Sequence, residues 1–424
     1  MRVAFEKRTL PNGLDVIVHE DHRVPLVAVS VWYHVGSKNE QPGKTGFAHL
    51  FEHLMFEGSE HQPRSYFEPL QRAGGTLNGS TSTDRTDYWE VVPKEAARLA
   101  LWMEADRMGW LLPALTAERF ETQRGVVLNE KRQSYENRPY GLAQFAMARA
   151  LFPDTHPYSW PTIGETADLH AASVHDVREF FSTYYHPANA SLVIAGDIAA
   201  AEAFDLANEL FGQIPAGPPV LPVVVPPVTA RAHQTVMEDR VDLPRLYLAW
   251  PSPALFAPGD ADLDLAGDLL ANGRTSRLYR RLIYERRVAT ELVAAQSSRE
   301  LGSMFQIVAT AAPGESLDTL RTIIIEEVNR LRETGPTADE LERGRAQAEA
   351  AFVFRVQSLG GFGGRADQLN AYNVYQGEPD GFDADLARYL NATQESVRAA
   401  FGEWIDPDRA TELRVIPQQL TTNN

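Results

Sequence analysis

The chain has 424 residues, 44% hydrophobic and 23% charged, a length that exceeds one ordinary core and predicts at least two domains. Its formal net charge of −17 argues against nucleic acid, whose phosphates need a basic surface, and suits basic or neutral peptides. The absence of cysteine excludes disulfides, thiolate nucleophiles and cysteine-ligated zinc, which leaves histidine and carboxylates as the expected metal ligands.

The segment Met1-Arg-Val-Ala-Phe-Glu6 has no apolar h-region, so the chain as written reads as cytoplasmic, or as periplasmic or exported if a signal was removed. No window is apolar enough to cross a bilayer, and no membrane insertion is expected. Strands are predicted within 8–35: Leu14-Asp-Val-Ile-Val-His19 follows the turn signal Pro11-Asn12-Gly13, and Leu26–Val35 is rich in β-branched and aromatic residues. A helix begins near Thr45 and carries His49 to Met55. Alternation returns at Thr86–Val92, helical patterns follow at 94–110 and 116–135, and Ala190–Ala195 reads as a strand. The mixture predicts an α+β fold, with helices packed on a mostly antiparallel sheet.

From Gly212 to Val228 the chain holds six prolines, which forbid continuous helix and favour an extended spacer. The expected organisation is an N-terminal half over 1–214, a proline-rich linker over 215–229 and a C-terminal half over 230–424. The halves show an internal repeat. His49–Gly58 can be laid over Asp264–Gly273, and Thr116-Ala-Glu-Arg-Phe-Glu over Thr337-Ala-Asp-Glu-Leu-Glu. Asp264, Gly267 and Asp268 then stand where the first half has His49, Glu52 and His53, and Ala351 stands against Glu130. The second copy keeps the helices and lacks the metal chemistry.

His49-Leu-Phe-Glu52-His53 is the sharpest motif. On a helix, positions i, i+3 and i+4 share one face, so two imidazoles and a carboxylate point the same way. Two imidazoles one turn apart can grip a zinc ion, and Glu52 beside it can take a proton from water. A catalytic zinc needs a third protein ligand. Glu130, next to the apolar run Val126-Val-Leu, is a candidate, because a carboxylate buried there is stabilised by a metal. The bland alternative is a chance pair of histidines on a helix face. His156, His175 and His186 lie in turn-like contexts and read as structural; His19, His22 and His61 lack helical pairing.

The order His-x-x-Glu-His is the inverted zinc motif, and the chain resembles the pitrilysin family (pitrilysin, insulysin and mitochondrial processing peptidase). The resemblance rests on Thr9-Leu-Pro-Asn-Gly-Leu14, Gly46-Phe-Ala-His-Leu-Phe-Glu-His-Leu-Met-Phe-Glu-Gly58, Gly74-Gly-Thr-Leu-Asn78-Gly-Ser-Thr81, Val126-Val-Leu-Asn-Glu130 and Tyr185–Asp197, and so covers most of the chain. It implies that Glu130, at the family's spacing from His53, is the third zinc ligand. It also implies duplicated α+β halves, the second without metal ligands, and a chamber enclosed by four halves. A two-half chain would then be a homodimer, or a heterodimer with a related chain. Many relatives carry a further Glu where this chain has Gln123, which can hydrogen-bond a ligand or water but supplies no charge.

Active relatives also have an Arg and a Tyr seven apart in the C-terminal half, reaching toward the zinc. Arg365 and Tyr372 show that separation, after the glycine-rich run Gly360-Gly-Phe-Gly-Gly364. The resemblance implies that they hold substrate; an Arg on a solvated helix and a Tyr in the core is the alternative. Asn78 falls in the segment that lines the cleft in relatives, where it would bind substrate backbone, or else it stabilises a turn. The implied activity is zinc-dependent hydrolysis of peptides or unfolded polypeptides by Glu52 and Zn²⁺. The rival is a non-catalytic or partner-dependent subunit of a two-chain complex.

Overall fold

The computed structural model describes residues 3–418. The extreme ends of the two expected halves, with Met1 and Arg2 of the leading segment, lie outside the described residues. The fold is α+β, built on two sheets. The first contains β1 (Glu6–Thr9), β2 (Asp15–Glu20), β3 (Leu26–Tyr33), β4 (Thr76–Thr81), β5 (Thr86–Pro93) and β6 (Ala190–Gly196), in the order β1-β2-β6-β3-β5-β4. The second contains β7 (His233–Asp239), β8 (Arg245–Ser252), β9 (Ala289–Ser297), β10 (Ser303–Ala311) and β11 (Thr411–Pro417), in the order β7-β11-β8-β10-β9.

The sheets share one wiring. β2 pairs parallel with β6 and β7 parallel with β11; every other pairing is antiparallel. Setting β2, β6, β3, β5 and β4 against β7, β11, β8, β10 and β9 matches the two orders strand for strand. The repeated helices also correspond: Phe47–Leu54 to Asp260–Ala271, and Ala117–Lys131 to Ala338–Arg355.

The chain forms two compact units, and they interleave. One comprises 1–130, 160–223 and 351–384; the other 131–159, 224–350 and 385–424. The proline-rich stretch does contain a crossing, between Val223 and Val224, and it has no regular secondary structure. A single cut there, however, misplaces two segments. Helix Ala143–Leu151 packs through Ala143, Met147 and Leu151 on Tyr247, Ala249 and Leu413 of the second sheet. Helix Arg365–Gln376 packs through Ala366 and Leu369 on Ile17, Ala28, Val193 and Ala195 of the first. Burying Leu369 contributes roughly 1.5–3 kcal/mol relative to leaving it exposed.

Each sheet is therefore covered on both faces. The other face of the first carries helices Ala97–Ala114 and Ala200–Phe211, and that of the second carries Leu317–Thr334 and Gln394–Trp404. Double coverage explains why β6 is buried throughout and reads as a continuous small-apolar run. β4 is different: it ends the first sheet, is only partly buried, and leaves one side unpaired.

Candidate metal centre

Helix Phe47–Leu54 begins at Gly46, whose left-handed φ of 87° suits a residue without a side chain. Both carboxylate oxygens of the buried Glu40 meet this helix start, accepting from the backbone N–H groups of Gly46 and Ala48 at 2.9 Å each. Phe47, Leu50, Phe51 and Leu54 point inward, and Phe51 packs on Phe181 and Tyr185. That packing leaves His49, Glu52 and His53 together on the outward face, with ring centroids of the two histidines 4.8 Å apart.

Glu130 comes to them from helix Ala117–Lys131. Its Oε2 lies 3.2 Å from Nε2 of His53 and 3.8 Å from Nε2 of His49. Among the described residues these three form a group of potential metal ligands whose donor atoms all lie within 4.8 Å of one another. Ligands about 2.0–2.1 Å from a tetrahedral zinc stand about 3.3 Å apart, so the donor set fits that ion. Glu130 is less buried than its apolar flank suggests, with 36% of its side chain exposed. Val127 points into the core, while Val126 and Glu130, one turn apart, share the outer face. Gln123 is buried in the same helix.

The protonation pattern suits cation binding. Burial, with the nearby His53, lowers the pKa of His49 to about 4, so its ring is a neutral ligand at pH 7. The hydrogen bond with His53 lowers that of Glu130, against partial burial. Burial raises that of Glu52, opposed chiefly by the Thr81 hydroxyl, which donates to Glu52 Oε2 at 2.7 Å. Thr81 ends β4, so Glu52 is tied to the open edge of the sheet.

Asn78 lies on β4, exposed and three residues before Thr81. Arg365 and Tyr372 lie elsewhere. Arg365 is 7% exposed, and its Nη1 meets Asp21 Oδ2 at 2.6 Å and His19 Nε2 at 3.0 Å. Tyr372 is 2% exposed, against Gly381. The structure does not bring this pair to the metal ligands: Arg365–Gln376 is a covering helix of the first sheet, and an ion pair inside that unit holds Arg365. The guanidinium near Glu52 is instead Arg85, whose Nη1 meets Asp87 Oδ1 at 2.6 Å and donates to Ser80 O at 3.0 Å. Arg85 and the capping Glu40 carry no helical spacing signal, and only the fold identifies them.

Of the other histidines, His22 bridges Asp197 and Glu20, His61 pairs with Asp106, and His156 accepts from the Tyr158 N–H. In the second unit, Asp264 accepts from the Tyr389 hydroxyl at 2.6 Å, where the first has His49.

This two-sheet α+β chain brings His49 and His53 of one helix together with Glu130 of another near the edge strand β4, a candidate metal centre. Family profiles agree: residues 15–159 match the insulinase family of peptidases, M16, and residues 171–348 match the M16 inactive domain. The chain belongs to this peptidase family, in its two-domain form. It is 29% identical to the zinc protease PqqE of Helicobacter pylori, over 88% of this chain and 85% of that one. Among solved structures, a protease from Helicobacter pylori superposes with a TM-score of 0.89 at 26% identity, covering 98% of this chain and all of that one. The periplasmic protease PqqL of Escherichia coli shares the fold, with a TM-score of 0.75 at 18% identity over 97% of this chain and 47% of that one. Among the described residues, no helix is long and apolar enough to cross a membrane.

Proposed function

We propose that the protein is a zinc-dependent endopeptidase acting on peptides or unfolded polypeptides, with zinc on His49, His53 and Glu130. The observation that carries this reading is the convergence of those three donors beside a half-buried carboxylate tied to an open strand. Bound zinc supplies Lewis acidity and an acidified water. Glu52 takes the proton of the attacking water and returns it to the leaving amine. β4 accepts the peptide as an added strand, with Asn78 binding its backbone, so main-chain pairing gives affinity with little dependence on sequence. Arg365 and Tyr372 support substrate binding from within the first unit, by fixing the helix that follows the glycine-rich loop.

The test is cleavage of a quenched peptide by wild type and by Glu52→Gln. Wild type should cleave; the variant should keep its zinc and lose about 10²–10⁴-fold in kcat. A wild type that holds zinc and cleaves nothing would favour a non-catalytic subunit.

The burial of Arg365 and Tyr372 favours a second reading, in which a paired chain completes the site. The half-length match to PqqL supports a paired assembly, and we infer a homodimer, with a related chain as the alternative partner. Sizing the pure protein and assaying it alone separates these.

A further inference from the structure

The glycine-rich run Gly360–Gly364 lies on the first sheet. A Cβ on Gly360 would stand 2.7 Å from Ala28 Cβ and from Val91 Cγ2, so the backbone rests on the sheet face. Gly361 and Gly363 take left-handed φ values of 84° and 74°, on either side of Phe362. Asp367 Oδ2 accepts from the Gly363 N–H at 2.6 Å, and the Arg365 N–H donates to Ser358 O at 3.0 Å, closing the loop. The loop is thus fixed at both ends, yet it holds Phe362 50% exposed. The Phe362 ring stands edge-on to Trp89, with centroids 5.5 Å apart and planes at 87°.

Trp89 lies on β5 directly opposite Asn78 of β4. Side chains opposite one another share a face, with Cβ atoms about 4.5–5.5 Å apart. The Trp89–Phe362 corner therefore lies one strand in from the open edge, on the face that Asn78 shares, while Thr81, at an odd offset, turns to the other face. Along that edge, Thr81, which holds Glu52, is three residues on from Asn78, or about 10 Å at 3.3 Å per residue. A peptide paired to β4 would span the same distance in about three of its own residues.

We propose that Trp89 and Phe362 form a specificity subsite for a large apolar side chain, above all an aromatic one, about three residues from the scissile bond. This inference rests on the peptidase reading for its register, and on geometry alone for its chemistry. An aromatic ring entering the corner completes an edge-to-face cluster and removes the exposed Phe362 surface from water. The anchored loop lets this occur without ordering a mobile segment. Trp89 and the loop belong to one compact unit, so the subsite needs no second unit to form.

The experiment uses dodecapeptides of Gly, Ser and Ala carrying one central Phe, or Gly in its place. Binding is measured by calorimetry on the zinc-loaded Glu52→Gln protein, with and without Phe362→Ala, so the readout does not require turnover. The Phe peptide should bind about tenfold tighter than the Gly peptide. Phe362→Ala should abolish that preference while leaving the circular dichroism spectrum unchanged, and Phe362→Leu should keep part of it. Equal affinity for the two peptides, or a preference that survives Phe362→Ala, overturns the proposal. Cleavage of the Phe peptide by wild type should fall about three residues from the Phe, and a cut unrelated to it overturns the register. No cleavage with the Phe preference intact would overturn the register and the peptidase reading, and leave the subsite's chemistry standing.

Discussion

The hydroxyl of Thr81 donates to Oε2 of Glu52 at 2.7 Å and ties the helix that carries His49 and His53 to the edge strand β4. The base and the strand that would receive the peptide are thereby held in one frame. Thr81→Val keeps the shape and removes the donor. Loss of a hydrogen bond to a charged group is worth about 1.5–3 kcal/mol, so kcat should fall roughly 10–100-fold with zinc content unchanged. An unchanged kcat would show that Glu52 is positioned by other contacts.

Glu40 performs a related task at the other end of that helix. Burial raises its pKa to about 8, against the backbone N–H groups it accepts from. Because each of its oxygens accepts a backbone N–H, Glu40→Gln keeps one acceptor and turns its amide NH2 on the other donor, so it should destabilise less than Glu40→Ala. Glu40→Ala leaves buried N–H groups without an acceptor and should lower stability by about 1–3 kcal/mol, with weaker zinc retention. Zinc affinity by competition with a chelator checks this; equal affinities for the Ala and Gln variants would contradict it.

Beneath the same site, Arg107 is fully buried between the rings of Tyr66 and Tyr88, each centroid 4.0 Å from its guanidinium carbon, and pairs with Glu104 and Glu90. Arg107→Met would leave buried Glu104, beside a Glu90 whose pKa burial and Glu104 hold well above the usual carboxylate range, without its cation, a loss of about 3–5 kcal/mol. Adding Glu90→Gln and Glu104→Gln should recover much of it, because the buried charge is then gone. Urea unfolding of the three proteins decides; a single variant as stable as wild type would refute the network's role.

Acid stability should report on Glu340. Burial would raise its pKa, but the Arg277 hydrogen bonds at 2.8 and 2.7 Å and the Thr337 N–H outweigh it and bring the group to about 2. A depressed folded pKa contributes stability above the unfolded value of 4.5 that is lost as pH falls toward 2. The gap in melting temperature between wild type and Glu340→Gln should therefore shrink from pH 5 to pH 2. A gap independent of pH would contradict the assignment.

Much of the candidate metal centre was legible in the sequence because its chemistry is local. His49, Glu52 and His53 owe their convergence to helix period alone. Glu130 was a candidate from its apolar flank, and the family spacing singled it out, since nothing in its own helix says which neighbour it faces. The duplicated halves were legible from the matched helices, but not their interleaving. Ala143–Leu151 and Arg365–Gln376 are amphipathic helices, and no local pattern says which of two sheets will cover their apolar faces. For the same reason the ion pair of buried Arg365 with Asp21 was not legible in the sequence. β4 escaped the strand pattern because Thr-Leu-Asn-Gly-Ser-Thr lacks apolar alternation; an edge strand has little to bury.

The most direct test of the account is zinc stoichiometry, measured by mass spectrometry on wild type, Glu52→Gln and Glu130→Ala proteins purified in parallel. The account predicts one zinc per chain in the first two and a substoichiometric, chelator-labile amount in the third. Full zinc retention without Glu130, or a second zinc held by the half that carries Asp264 and Asp268, would contradict it.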